Sequence, residues 1–214
     1  MKSFLFAAAG LLALLLLSSC TDDAYNKGEG KYSLLRADMA ELSTDTDGKV
    51  VRVVTDENDT LRITPFTVKG LERPDTLYRA YLYYNIRESE DEPVSIGRIS
   101  TLVPHHIDTL KTDPIRFESM WMSTSRRYLN MALFLMTGAT DDDARHHAIG
   151  LAIDTLLANA DGTHTLHLDF YHDQGGVPDY YSQRVYVSIP TDSLAADTVY
   201  LRINTYDGVV EKRF

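Results

Sequence analysis

Apolar residues recur at every second position through most of this chain, which is the spacing of a β-strand with one buried face. No 12-residue window carries the i, i+3, i+4, i+7 stripe of an amphipathic helix. Residues 45–49 place Gly48 after Asp47, and such a pair accepts the positive φ of a hairpin turn. The first half of the chain is therefore predicted to form five strands, at residues 33–42, 50–54, 61–63, 77–87 and 94–102.

The second half continues this alternation in further segments that are separated by turns rich in Gly, Asp and Pro. The predicted strands are residues 115–122, 129–136, 147–157, 163–172, 181–189, 199–206 and 209–213. Three of them have strongly apolar inward faces, made of Leu129, Met131, Leu133 and Leu135, then Val185, Val187 and Ile189, then Val199, Leu201 and Ile203. Strands of this number and spacing predict an antiparallel β-sandwich.

A polar stretch with two prolines, residues 103–114, interrupts the alternation and predicts a domain boundary. We therefore expect a first domain at residues 32–113 and a second at 114–214. The strand at 77–87 is long enough to bend across a small barrel. Its predicted inward side chains are Tyr78, Ala80, Leu82, Tyr84 and Ile86. The predicted fold class is all-β, a small N-terminal barrel followed by a sandwich.

A run of 14 apolar residues, 4–17, opens the chain. Its length suits the core of a secretory signal and falls short of the ~20 residues that cross a bilayer. Cys20 follows directly after Ser18 and Ser19, and this segment resembles the lipobox of bacterial lipoproteins, in which the thiol takes a diacylglyceryl group. We expect a lipoprotein signal peptide at residues 1–19 and lipidation of Cys20. Cys20 is the only cysteine, so its lipidation excludes disulfide and thiolate chemistry.

Residues 20–31 are polar, contain two glycines and lack apolar periodicity, so they predict a flexible tether. The pair Asp22 and Asp23 resembles the export signal of Bacteroidota lipoproteins, which implies the outer membrane and display on the cell surface. With 21 Lys+Arg and 31 Asp+Glu, the net charge is −10, and removal of residues 1–19 takes it to −11 because Lys2 is their only charge. Nucleic acid is therefore disfavoured as a partner, and membrane contact is expected through the lipid anchor alone.

The order and spacing of these elements, together with the lipobox, resemble the NigD-like lipoproteins of the Bacteroidales. The resemblance rests on the Asp-Gly hairpin turn and on two segments, Tyr128-Leu129-Asn130 and residues 185–190, and it covers nearly the whole mature chain. It implies an N-terminal OB domain and a C-terminal β-sandwich domain. The family takes its name from a bacteriocin-associated operon, which implies an immunity or accessory role as an alternative. The resemblance carries over no catalytic residue.

Histidines and acids offer only weak candidates for metal binding. His164, His167 and His172 share one predicted strand, but His167 points to the face opposite the other two. The acidic segment 141–143 could ligate calcium, and segment 45–48 begins like a calcium loop but lacks its remaining ligands. Both are better interpreted as solvated turns. The sequence also has no nucleophile elbow and no phosphate-binding glycine loop. We predict no metal, no cofactor and no catalytic residues, with a hydrolase as the less favoured alternative.

The outward face of the strand at 77–87 is the main candidate for ligand binding. It carries Arg79, Tyr81, Tyr83, Asn85 and Arg87. On OB folds such a face often binds single strands or sugars by stacking, and the net negative charge argues against nucleic acid here. The alternative is that this face packs against the second domain. The loop at 175–181, with Tyr180 and Tyr181, is a second candidate. We predict a non-catalytic module that binds a protein or glycan partner.

Overall fold

Strands make up nearly all the regular structure of the computed structural model, which describes residues 35–87, 89–139 and 145–214. These ranges contain one 3-10 helix, Thr191–Ser193, and twelve strands, which confirms the all-β prediction. The strands are β1 Leu35–Thr44, β2 Val50–Thr55, β3 Leu77–Asn85, β4 Glu92–Arg98, β5 Ser100–Thr101, β6 Arg116–Met122, β7 Tyr128–Thr137, β8 Ala148–Ala158, β9 His164–Asp173, β10 Tyr181–Pro190, β11 Thr198–Thr205 and β12 Gly208–Arg213.

Several predictions fall outside the described residues. These are the signal peptide, the tether, the lipidation of Cys20 and the acidic segment 141–143. Over the part of the chain that is described, no helix has the length and apolarity needed to cross a bilayer.

Four strands form the N-terminal sheet, in the order β2-β1-β3-β4. From Tyr78 to Tyr84, the inward side chains predicted for β3 are buried, with 0–5% of their surface exposed, as the alternation requires. Ile86 is the exception. β3 ends at Asn85, and Ile86 lies beyond the sheet with 36% of its surface exposed.

The prediction of a strand at 61–63 is wrong. This segment is irregular and is held by isolated hydrogen bonds on two sides. The Leu61 amide donates to the Val53 carbonyl over 3.0 Å, beside β2. On the other side, the Asp91 amide donates to the Arg62 carbonyl over 2.7 Å, and the Arg62 amide donates to Asp91 Oδ2 over 2.9 Å. A carboxylate thus replaces one carbonyl of a regular ladder. The segment links the two edges of the N-terminal sheet in the place of a fifth strand.

Two further sheets of four strands enclose the larger core. The first sandwich sheet has the order β5-β10-β7-β6, and the second has the order β12-β11-β9-β8. Pairing is mostly antiparallel, but β10 with β5 and β11 with β9 are parallel. The three predicted apolar faces lie in this core, where only Val185 is partly exposed. Residues 36–214 form one compact unit.

The polar stretch at 103–114 lies along the sandwich and is not a free linker. β4 ends at Arg98, and the short β5 that follows already pairs with β10. Further along, His105 bridges to Ala152 and Thr112 to His172, both in the second sandwich sheet. Strand pairing with the sandwich therefore begins at β5, near residue 100. The predicted strand at 94–102 is correspondingly split in two.

The hairpin between β1 and β2 depends on Gly48, as the Asp-Gly pattern predicted. Gly48 has a φ of +74°, and a Cβ there would lie 2.2 Å from the Glu72 carbonyl oxygen. Gly162 has a φ of +86° with nothing within 4 Å of such a Cβ. Because both positions have a left-handed backbone, a side chain at either one would add strain of about 1 kcal/mol or more.

We predict that Gly48→Ala lowers the free energy of unfolding by about 1–3 kcal/mol more than Gly162→Ala, because only the first adds a clash with backbone. Urea unfolding of both variants measures the difference. Equal losses in the two variants would mean that the hairpin moves freely away from Glu72.

Candidate functional site

The predicted binding face of β3 lies against the outer surface of the first sandwich sheet. On β7 and β10 the residues that alternate with the core point to this surface, and they include Asn130, Ser188 and Tyr186. For Arg79, which is 4% exposed, the structure thus supports the alternative that this face packs against the second domain. The rest of the face is divided between this junction and the far end of β3.

Arg79 is the central residue of the junction. Its Nη2 donates to Asp56 Oδ2 over 2.6 Å and to Asn130 Oδ1 over 3.1 Å. Its Nε donates to Ser188 Oγ over 3.0 Å. The guanidinium carbon lies 4.1 Å from the centre of the Tyr128 ring, within the range of a cation–π contact. One buried cation therefore contacts both halves of the molecule.

The partners of Arg79 also bond to one another. Asn130 Nδ2 donates to Asp56 Oδ2 over 2.7 Å, and the Ser188 hydroxyl donates to Asn130 Oδ1 over 2.7 Å. Asn130 and Ser188 are fully buried. We call these four residues, Arg79, Asp56, Asn130 and Ser188, the Arg79 cluster. A buried charge is stable only when paired in this way, so the cluster fixes how the N-terminal sheet sits on the sandwich.

A second contact joins the two halves beside the Arg79 cluster. Glu41, on β1, is 7% exposed and forms an ion pair with Arg127. The Tyr128 hydroxyl donates to Glu41 Oε1 over 2.7 Å. Burial, and then this bond to a carboxylate, raises the pKa of Tyr128 to about 12. Tyr128 therefore stays protonated and keeps donating at any physiological pH.

Tyrosines extend from this junction to the surface. The Tyr81 ring stacks on Tyr186 of β10 at 5.1 Å with an angle of 13°, and it meets Tyr83 edge-on at 5.1 Å. We call Tyr81, Tyr83 and Tyr186 the tyrosine cluster. Burial, followed by a hydrogen bond to Tyr83, raises the pKa of Tyr81 to about 12. Tyr83 is 38% exposed, so the cluster offers aromatic and hydroxyl surface to a ligand.

The outer surface continues beyond Tyr186 in a row across three strands. Arg184 of β10 is opposite Phe134 of β7, which is opposite Arg116 of β6. The guanidinium carbons of Arg116 and Arg184 lie 4.2 Å and 5.4 Å from the Phe134 ring centre. Arg184 is also paired with Glu118. Aromatic and arginine side chains therefore form a continuous surface with the tyrosine cluster.

The other predicted site residues lie elsewhere. Asn85 is 3% exposed and donates to Glu92, which also pairs with the exposed Arg87 at the end of β3. Tyr180 and Tyr181 are 79% and 57% exposed at the start of β10. Tyr181 is five residues from Tyr186, or about 17 Å along the strand. Of the seven predicted residues, the structure brings together Arg79, Tyr81 and Tyr83.

Sequence reasoning missed the residues that β3 meets across the junction. Asp56 looks like an ordinary turn residue, and Asn130, Ser188 and Tyr186 look like the outward positions of solvent-facing strands. The available signal was one small, polar side chain at an outward position in each of two very apolar strands, Asn130 in β7 and Ser188 in β10. Such residues suit a covered face that has to accept hydrogen bonds.

The family model described as the NigD-like C-terminal beta sandwich domain matches residues 98–213. This is more than half of the chain and includes β5 and the whole sandwich. The chain belongs to this NigD-like family. The match begins just before β5, the first strand to pair with a strand of the sandwich.

Solved structures of similar fold come from species of Bacteroides and Parabacteroides. A NigD-like immunity protein from Bacteroides caccae ATCC 43185 has 24% identity and a TM-score of 0.65, with 83% of this chain and 91% of that one covered. A candidate toxin-related protein from Parabacteroides distasonis ATCC 8503 has 18% identity and a TM-score of 0.62, covering 84% and 92%. A candidate lipoprotein from Bacteroides fragilis NCTC 9343 has 11% identity and a TM-score of 0.56, covering 84% and 96%. No curated protein sequence matches the chain.

The histidines of this NigD-like chain are divided as the strand alternation predicted. His172 is 1% exposed, whereas His167 stacks on Tyr200 at 5.0 Å on the opposite face of β9. No group of three metal-binding side chains occurs among the residues that the structure describes.

A pair of histidines, His172 buried and His147 partly buried, supports the end of the sandwich. His172 Nδ1 lies 2.9 Å from the Asp113 carbonyl oxygen, which only accepts, so this nitrogen donates. His172 Nε2 is then an acceptor, and it takes the bond from His147 Nδ1 at 3.1 Å. Burial, and then the nearby His172, lowers the pKa of His147 below its ordinary value. The bond between the rings requires at least one of them to be neutral, and burial favours the neutral form of His147.

We predict that replacing Arg79 by Met lowers the free energy of unfolding by about 3–5 kcal/mol, because Asp56 is left as a buried charge without its cation. Arg52→Met is the matched control, since Arg52 is exposed on β2 and should cost less than ~0.5 kcal/mol. Denaturant unfolding provides both values. Similar losses for the two variants would contradict the assigned role of the Arg79 cluster.

We also predict that stability falls as the pH decreases from about 7.5 through 6.5 towards 5, since a lowered histidine pKa means that the unfolded chain binds more protons. His147→Gln should flatten this part of the stability curve. Thermal unfolding across the pH series tests the point. A slope that persists unchanged in the variant would assign the effect to other groups.

Proposed function

We propose that this NigD-like chain is a lipid-anchored protein of the outer membrane, displayed at the cell surface, that binds a protein partner without catalysis. The binding surface is the tyrosine cluster with the adjoining row of Phe134 and its two arginines. Tyrosine and arginine dominate the residues that contribute most to protein interfaces. A glycan is the alternative ligand for the same surface.

The main support for this proposal is that tyrosine rings from two different sheets are in contact. Tyr81 and Tyr83 come from β3, and Tyr186 comes from β10, yet their rings are in contact. The Arg79 cluster holds the two sheets directly beside them. A surface that is rigid before binding loses less conformational entropy on association, which favours affinity.

The lipid anchor rests on Cys20 and the apolar run before it. A candidate lipoprotein from Bacteroides fragilis has a similar fold, which supports this part of the proposal. Incorporation of labelled palmitate into the wild-type chain, but not into Cys20→Ala, is the expected result. Equal labelling of both would remove the anchor from the proposal.

Bacteriocin immunity is the second candidate function. The similar chain from Bacteroides caccae is described as a NigD-like immunity protein, and immunity is itself a form of partner binding. Deletion of the gene should then sensitise the cell to a toxin produced by the same strain. Unchanged sensitivity would leave the surface-binding role without the immunity role.

We predict that the double variant Tyr81→Ala and Tyr83→Ala weakens binding of the protein partner by at least about 30-fold, as for a hot spot at an interface. Tyr180→Ala with Tyr181→Ala is the matched control, since it removes two exposed tyrosines far from the cluster. The partner is identified by crosslinking on intact cells, and its affinity is then measured with purified proteins. Loss of affinity in the control pair alone would place the site at the loop instead.

A further inference from the structure

A cleft of about 270 Å³ opens between the N-terminal sheet and the end of β6, next to the tyrosine cluster. Three carboxylate residues, Asp38, Asp56 and Glu57, line it together with two aromatic residues, Tyr81 and Trp121. Hydroxyls of Ser123 and Thr124 complete the polar part of the wall, and no Lys, Arg or His is among its lining residues. Pockets between packed domains are common ligand sites.

The charge in this cleft is unevenly compensated. Arg79 pairs with Asp56 from behind, and Arg36 contacts the Tyr84 hydroxyl, which also donates to Asp38 over 2.7 Å. Glu57 is exposed and has no ion pair among the described residues. The cleft therefore has excess negative charge, centred on Glu57, in a chain whose net charge is −10.

Asp56 provides an independent indication of a ligand. Its Oδ2 accepts two of the hydrogen bonds of the Arg79 cluster, from Arg79 and from Asn130. The residue is 9% exposed, and its Oδ1 is buried without a hydrogen-bond partner in the described part of the chain. A buried acceptor in this state is unfavourable, so a donor brought by a ligand would be stabilising.

The aromatic walls restrict the type of donor. Trp121, which is 38% exposed, and the partly buried Tyr81 both line the cleft. Indole and phenol rings attract a cation over their faces, and carboxylates beside them add to the attraction. Organic anions are excluded by the same charges. Of the possible donors, guanidinium best matches these rings and carboxylates, because it is flat, cationic and rich in N–H groups.

We propose that this cleft receives an arginine or lysine side chain of the protein partner. The inference rests on the proposed function and specifies the chemistry of the partner, which should present a basic residue close to the surface that covers the tyrosine cluster. The excess of acidic residues over the whole chain would also accelerate encounter with such a partner.

Trp121 is the only tryptophan in the chain, so its fluorescence reports directly on the cleft. The probe is the blocked peptide acetyl-Gly-Arg-Gly-amide, titrated at constant ionic strength into the full chain. Acetyl-Gly-Glu-Gly-amide and methyl glucoside are the anionic and neutral comparisons. We expect a saturable change with the arginine peptide alone, weakened severalfold between about 20 and 300 mM salt.

Glu57→Gln is the decisive variant, because it removes the least compensated charge without touching the Arg79 cluster. It should weaken binding of the arginine peptide by about two- to fivefold, the range expected for one exposed ion pair. Asp59→Asn, two residues away and outside the cleft lining, is the matched control and should leave the titration unchanged. Trp121→Phe should keep binding when it is followed by calorimetry.

Several results would overturn the proposal. Saturation by methyl glucoside would assign the cleft to a glycan, and much tighter binding of spermidine would assign it to a free amine. Equal effects of Glu57→Gln and Asp59→Asn would show only general attraction to an acidic protein. The proposed function fails separately, when the Tyr81 and Tyr83 double variant keeps full affinity for the protein partner.

Discussion

The buried guanidinium of Arg79 is the interaction on which the rest of the structure depends. It is an ion removed from water, and such an ion is tolerated only where all its neighbours are arranged to receive it. Asp56 supplies the charge, and Asn130 and Ser188 supply further acceptors from two strands of the sandwich, while Nη1 has no hydrogen-bond partner among the described residues. Apolar packing between two sheets permits small sliding movements. The hydrogen bonds of Arg79 are directional and permit only one relative position of the two sheets. We therefore regard the Arg79 cluster as the element that specifies how the N-terminal sheet docks.

The proposed binding surface follows from that docking. Tyr81 contacts Tyr186 only because β3 is held across β10, and the acidic cleft exists only because the N-terminal sheet is held beside the end of β6. Tyr81 belongs to both the tyrosine cluster and the cleft wall. One docking geometry thus creates an aromatic surface suited to a protein interface and, next to it, a cavity suited to a basic side chain.

The sequence predicted the strands and their faces well, because alternation depends on local geometry alone. It located most strand cores within a few residues and identified β3 as unusual. It did not predict what covers the outward face of β3, since Arg79 is separated from Asn130 by 51 positions and from Ser188 by 109. The segment 61–63 was assigned as a strand because its apolar residues alternate, but its bonds come partly from the Asp91 carboxylate. Asn130 and Ser188 lie within the two segments that carried the resemblance to NigD-like lipoproteins, yet pairing them with Arg79 required the tertiary structure.

The most direct test of the docking role is native-state hydrogen exchange followed by mass spectrometry on peptides from β3 and β7. If the Arg79 cluster couples the two halves, both sets of amides should open with the same free energy in the wild-type chain. In Arg79→Met, the β3 amides should exchange through a separate opening of lower free energy than the opening that exposes the β7 amides. Unequal free energies in the wild type, or coincident exchange of both strands in the variant, would contradict this account.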